Sequence, residues 1–133
     1  MGKENEFDAE LFFAALADKT RLRLLNLMRD GEVCVCFFAE AIGTNNPKIS
    51  RHLAYLKRAS LVVGRRDGKW MHYRIQEPAN THAAEVLAST IRMLRDDREF
   101  ESDRNRLIAA CCSPAAPVEI KGRAKVTKVL VDV

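Results

Sequence analysis

Four cysteines stand in two close pairs, Cys34 with Cys36 and Cys111 with Cys112. The first pair lies in "GEVCVCFFAEAIG", residues 31–43, and the second in "LIAACCSPAAP", residues 107–117. In a reducing compartment, close pairs point to metal or redox chemistry rather than to the spread disulfide framework of a small secreted domain. Residues 33–42 read as a short helix ended by Gly43. Residues two apart on a helix do not face each other. The Cys34–Cys36 spacing is therefore either idle, two small buried hydrophobes, or a pair that a shared ligand gathers by unwinding the helix. An extended backbone would put both on one face. Cys34, in the first turn of such a helix, would also sit where the helix field favours the thiolate.

Charge supplies the second signal. Net charge is +4 over 133 residues, but residues 44–76 carry eight Lys or Arg against one acid, Asp67. That segment is +7 on a chain whose remainder is −3. A one-signed basic field of this kind is a footprint for a polyanion, whereas an idle solvated face would mix both signs.

The elements that must position these residues follow from periodicity and punctuation. "DAELFFAALAD" places Leu11, Phe12, Ala15 and Leu16 on one helical stripe. "DKTRLRLLNLMRDG" is a second helix, with Asp18 or Thr20 to cap it, Leu22, Leu25 and Met28 on one face, and Gly31 to stop it. "NNPKISRHLAYLKR" opens with a capping Asn and has Pro47 in its first turn. Its apolar face is Ile49, Leu53 and Leu56, which leaves Lys48, Arg51, His52 and Tyr55 facing outward. The period then falls to 2 in "LVVGRR" and "KWMHYRI", two strands around Asp67-Gly68. "NTHAAEVLASTIRMLRDD" is a last amphipathic helix over about 81–96, continuing more weakly through 97–112, and residues 113–133 form a basic extension.

No run of 18 apolar residues exists, which excludes a membrane helix. "MGKENEFDAELFF" lacks the order of a signal peptide, so a cytoplasmic location is expected. A nucleophile in an anion-binding loop, a Cys-x-x-Cys, a Gly-rich phosphate loop and a Ser/His/Asp set are all missing, so an enzyme is not expected.

The order of elements predicts a mainly α fold with one β-hairpin: a winged helix-turn-helix over residues 1–96, both DNA-binding and dimerising. Helix 46–58 would enter the major groove, presenting Asn45, Asn46, Lys48, Ser50, Arg51 and His52. Arg suits guanine, Asn suits adenine, and Lys and Ser suit phosphates or bases. The hairpin tip, with Arg65, Arg66 and Lys69, would lie against the backbone as the wing. So few phosphate contacts per subunit call for a dimer on paired half-sites.

"CVCFFAEAIG", "NNPKISRHLAYLKRASLV" and "RRDGKWMHYRI" together closely resemble the ArsR/SmtB family of winged-helix metal-responsive repressors, in particular its arsenic-sensing branch. The likeness covers residues from about 10 to 95. It implies a homodimer, paired through helices 9–17 and 81–96, that binds double-stranded operator DNA at an inverted repeat. It further implies release when As(III) or Sb(III), as inducer, binds the thiolates of Cys34 and Cys36, with no organic cofactor. Many arsenic sensors have a third cysteine where this chain has Ala39. Cys111 and Cys112 resemble the C-terminal pairs of another group of arsenic sensors, so either pair, or both jointly across the dimer, are metal ligands on this resemblance.

Rival readings are a cadmium- or lead-responsive repressor, which in such relatives recruits N-terminal cysteines that residues 1–33 lack, and a thiol-redox repressor. A zinc or cobalt site on the last helix would have His82 and Asp96 but Met93 where a second His is needed. His52, His72 and His82 have no HxxxH spacing and read as surface, DNA-facing or hydrogen-bonded residues.

Overall fold

The computed structural model describes residues 6–111. Along them run α1 (Ala9–Leu16), α2 (Lys19–Leu27), β1 (Val33–Cys34), a 3-10 turn (Val35–Phe37), α3 (Phe38–Ile42), α4 (Asn46–Arg58), β2 (Val62–Asp67), β3 (Trp70–Ile75), α5 (Thr81–Arg95) and α6 (Arg98–Cys111). This is the winged helix-turn-helix that the element order predicts. No helix among the described residues is long and apolar enough to cross a membrane. Cys112 and the basic extension 113–133 lie outside the described residues.

Side chains written into the sequence set the helix starts. Asp8, Asp18, Asn45 and Asn80 each accept the N–H three residues on, at 2.9–3.0 Å. Asp18, not Thr20, therefore opens α2. Gly43 ends α3 at φ 84, with its N–H 2.7 Å from the Ala39 carbonyl. A side chain there would be strained in this left-handed conformation, so the tight turn into α4 rests on a glycine. The buried face of α4 is Ile49, Leu53 and Leu56, as its spacing predicts. These pack with Phe12, Leu24, Leu25, Met28, Phe38 and Leu61 into the core.

Three expectations are corrected. Residues 33–37 are not helical: Val33 and Cys34 form an edge strand against Tyr73 and His72, giving the antiparallel order β1-β3-β2. Glu32 is a poor cap for a helix starting at 33, and β3 offers the backbone groups of 33 and 34 a ladder instead. The hairpin pairs Val62 with Ile75 through Asp67 with Trp70, so its turn is Gly68-Lys69, one residue later than expected. Finally, α6 does not continue α5. Asp97 accepts from the N–H groups of Glu99 (2.9 Å) and Phe100 (3.4 Å), starting a separate helix.

That helix folds back over α2 and α3, burying Phe100, Leu107, Ala110 and Cys111. A polar lock accompanies the apolar contact. The fully buried Asp103 carboxylate accepts two bonds from Arg23 (2.7 Å each) and one from Arg106 (2.6 Å). The same two guanidiniums donate to the last carbonyls of α3, Arg23 to Ile42 (3.1 Å) and Arg106 to Ala41 (2.8 Å). Asn26 donates to the Phe100 carbonyl at 3.0 Å, and Arg104 pairs with buried Asp30.

Removing one partner of a buried, hydrogen-bonded charge cluster is far more costly than removing a surface pair. Asp103→Ala is expected to lower the urea-unfolding free energy by about 3 kcal/mol, since it strands two guanidiniums. Glu99→Gln, which loses the exposed Lys19–Glu99 pair at 2.8 Å and a weaker attraction to Arg23, should stay within about 0.5 kcal/mol of wild type.

Candidate thiol site and nucleic-acid interface

The strand conformation of Cys34 (φ −72, ψ 137) decides the geometry of the first cysteine pair. Because the chain is extended there and turns only at Val35, the two sulfurs lie on one side, 3.3 Å apart, with one thiol donating to the other. No helix has to unwind to bring them together, which overturns the expectation drawn from a helical 33–42. Two thiolate bonds of roughly 2.3 Å meeting near a right angle hold their sulfurs roughly 3.3 Å apart, whereas tetrahedral angles would need roughly 3.8 Å. The pair thus fits a pyramidal trivalent ion. Cys34 is fully buried and Cys36 half-buried, so access is from the Cys36 side.

The electrostatics also differ from expectation. α3 begins only at Phe38, and what Cys34 precedes is a three-residue 3-10 turn rather than the first turn of an α-helix. Burial, then the hydrogen bond and charge of Cys34, push the Cys36 thiol up to about 12, with Cys111 adding to the rise. Cys36 therefore keeps its proton at neutral pH.

His72, opposite Cys34 in the ladder, was expected to be exposed or hydrogen-bonded and is neither. It is fully buried, and among the described residues neither of its ring nitrogens has a hydrogen-bond partner. Burial lowers its pKa. Alternation along β3 gave no sign of this, because β1 covers that strand through a contact distant in sequence. Cys111 is buried at the end of α6, the helix that packs on α3 and on the 3-10 turn. Among the described residues no disulfide forms.

Asn45, Asn46, Lys48, Ser50 and Arg51 are exposed along the start and outer face of α4. The Asn45 side-chain oxygen is committed to the Lys48 N–H at 2.9 Å, leaving its amide NH2 outward. His52 and Tyr55 do not face outward freely. Arg21 reaches from α2 between them, donating to the His52 Nδ1 at 3.3 Å and lying 4.0 Å over the Tyr55 ring. Arg21 also donates to the Ala14 and Ala15 carbonyls at 2.9 Å, which ties α1, α2 and α4 at one point. On the wing, Arg66 and Lys69 are exposed. Arg65 is gripped by Glu32 through two bonds of 2.6 and 2.9 Å, and this bond in turn lowers the Glu32 pKa.

Comparison with known proteins agrees with the fold. Residues 18–63 match the family model described as bacterial regulatory protein, arsR family. The chain is 43% identical over 76 residues to the arsenical resistance operon repressor of Escherichia coli K12, a match covering 56% of this chain and 65% of the relative. It thus spans slightly less than two thirds of that protein's length. A homodimeric winged helix-turn-helix DNA-binding domain from Mycobacterium bovis superimposes with a TM-score of 0.54 at 32% identity, covering 70% of this chain and 82% of that one. The AntR antimony-specific transcriptional repressor does so with a TM-score of 0.50 at 32% identity, covering 67% and 81%.

The setting of His52 has a measurable consequence. Burial first, then the charges of Arg21, Arg51 and Lys48, lower its pKa below 6.5, against the opposing pull of Asp18. The unfolded chain therefore takes up a proton more readily than the fold does. The stability His52 contributes is complete above pH 6.5 and is lost as the pH falls from there through its lower folded value. Urea unfolding from about pH 7.5 to about pH 5 should show wild type losing more stability than His52→Gln. Parallel curves would exclude this role.

Proposed function

The chain belongs to the arsR family of bacterial regulatory proteins, and we propose that it is a transcriptional repressor released from operator DNA by trivalent arsenic or antimony. The observation that carries this reading is the pair of Cys34 and Cys36 sulfurs 3.3 Å apart, Cys34 on a strand hydrogen-bonded to the wing and Cys36 in the turn that follows it. Thiolates select soft ions over hard ones. A trivalent hydroxide condenses with thiols by losing water, the thiol proton leaving with the hydroxide.

Asn46, Lys48, Ser50 and Arg51 on α4 read the major groove, helped by the outward amide of Asn45. Arg66 and Lys69 of the wing hold the phosphate backbone. His52 positions α4 through Arg21, and Arg65 answers first to Glu32. A homodimer on an inverted repeat supplies the second half-site. Phe13 on α1 and Met93 on α5, 53% and 63% exposed, fit such a subunit contact.

Ion binding at Cys34 and Cys36 acts on β1 and the 3-10 turn at once, because Cys34 lies in the one and Cys36 in the other. β1 is paired with the wing strand, and the 3-10 turn leads into α3, the Gly43 turn and α4. The sulfurs thus connect to both DNA-contacting elements, to the wing directly through the Cys34–His72 pairing and to α4 along the chain by way of α3. A preference of about 3–5 kcal/mol of the bound ion for the off-DNA conformation is enough for a repressor switch.

The test is fluorescence anisotropy of the reduced protein on labelled DNA from upstream of its own gene, at fixed salt. Arsenite and antimonite should release the DNA at low concentration and zinc should not. The double variant Cys34→Ser, Cys36→Ser should hold DNA as wild type does and ignore arsenite. Arg51→Ala should weaken DNA binding about tenfold or more and flatten its salt dependence. Release by cadmium alone would replace the inducer, and absence of DNA binding would sink the repressor reading.

A further inference from the structure

A pyramidal trivalent ion takes three sulfurs, and Cys34 and Cys36 supply two. α3 itself, Phe38–Ile42, holds no further cysteine. The fold provides another route. α6 runs antiparallel to α3, fixed in register where the Arg106 Nε donates to the Ala41 carbonyl at 2.8 Å. Five residues onward along α6 is Cys111, and five residues back from Ala41 is Cys36. Five residues climb about 7.5 Å on an α-helix, and between that and about 10 Å where part of the path is 3-10. The two cysteines therefore come level. Cys111, only 2% exposed, belongs to the same buried cluster as Cys34, and α6 packs directly on the 3-10 turn that carries Cys36.

We propose that Cys111 of the same chain is the third thiolate, completing the inducer site formed by Cys34 and Cys36. The inference deepens the arsenical reading above and rests on it. Among the described residues no three such groups already stand close enough to hold an ion. The third bond therefore forms by drawing the end of α6 and the 3-10 turn together. Arg23, Asp103 and Arg106 bind α6 to the Ala41 and Ile42 carbonyls, immediately before Gly43. A pull on the end of α6 is thus delivered to the turn that sets α4. The chemistry balances without an oxidant: As(OH)3 and three thiols form three As–S bonds, three As–O and three S–H bonds break, and three waters leave.

The test loads the reduced full-length chain with one equivalent of sodium arsenite and counts arsenic-bound sulfurs by X-ray absorption, with arsenite affinity measured in parallel. Wild type and Cys112→Ser should show three sulfurs. Cys111→Ser should show two sulfurs and one oxygen, with affinity lower by at least about tenfold. Cys111→Ala, which keeps a small apolar group in the buried position, should behave the same and guards against a folding artefact. Three sulfurs in both Cys111 variants, or two in wild type, would overturn the proposal while leaving the arsenical reading intact. So would three-sulfur sites that reappear when Cys34→Ser, Cys36→Ser chains are mixed with Cys111→Ser chains, because the third thiolate would then come from the partner. Wild type with no arsenic–sulfur bond would instead defeat the underlying functional reading.

Discussion

Two residues of backbone pairing, Val33 and Cys34 against Tyr73 and His72, govern the arrangement of everything around the thiols. The pairing keeps Cys34 extended, delays the helix until the chain has passed Cys36, and so brings the sulfurs to 3.3 Å. The same pairing makes β1 an edge of the wing's own sheet. A helix in this place would have separated the two thiols around its circumference and left the hairpin joined to the rest only through α4 and the core. The strand instead gives one short element two neighbours, the wing on one side and the helix-turn-helix on the other.

Polar groups fix α6 as firmly as apolar ones. Asp103 is fully buried yet carries three charge-assisted bonds from Arg23 and Arg106. Such bonds are directional, so they set the register of α6 where Leu107 and Ala110 alone would allow sliding. That both guanidiniums also cap the carbonyl end of α3 means that one cluster satisfies a helix terminus and anchors its neighbour. The arrangement leaves α3, only five residues long, with little independence from α6.

Charge around α4 and on the wing is divided between structure and exposure. Arg21 and Arg65 are cations spent on intramolecular partners, the first on two carbonyls and His52, the second on Glu32. Among the described residues, Lys48, Arg51, Arg66 and Lys69 are exposed without such a carboxylate partner, while Arg65 is exposed but paired. The basic field seen along residues 44–76 is therefore real, but its members differ in how freely they can meet a phosphate.

The sequence alone determined what depends on near neighbours. Asp18, Asn45 and Asn80 cap helices because the N–H they bind is three residues away, and the α4 stripe is legible because helical period is local. Paired thiols, the glycine turn and the basic stretch were likewise visible, as was the hairpin to within one residue. Tertiary structure decided what depends on partners distant in the chain. The strand state of Cys34 needs β3, 38 residues on by the ladder register Cys34 to His72. Arg65 and Glu32 are 33 residues apart, and Arg23 and Asp103 are 80 apart. A periodic pattern records which face of an element is apolar but not what will cover it, so the burial of His72 and the return of α6 over α3 were beyond its reach. The Asp97 cap was the one local sign that α6 is a separate helix, and it is visible in "RDDREF" once the acid is read as a start rather than as surface.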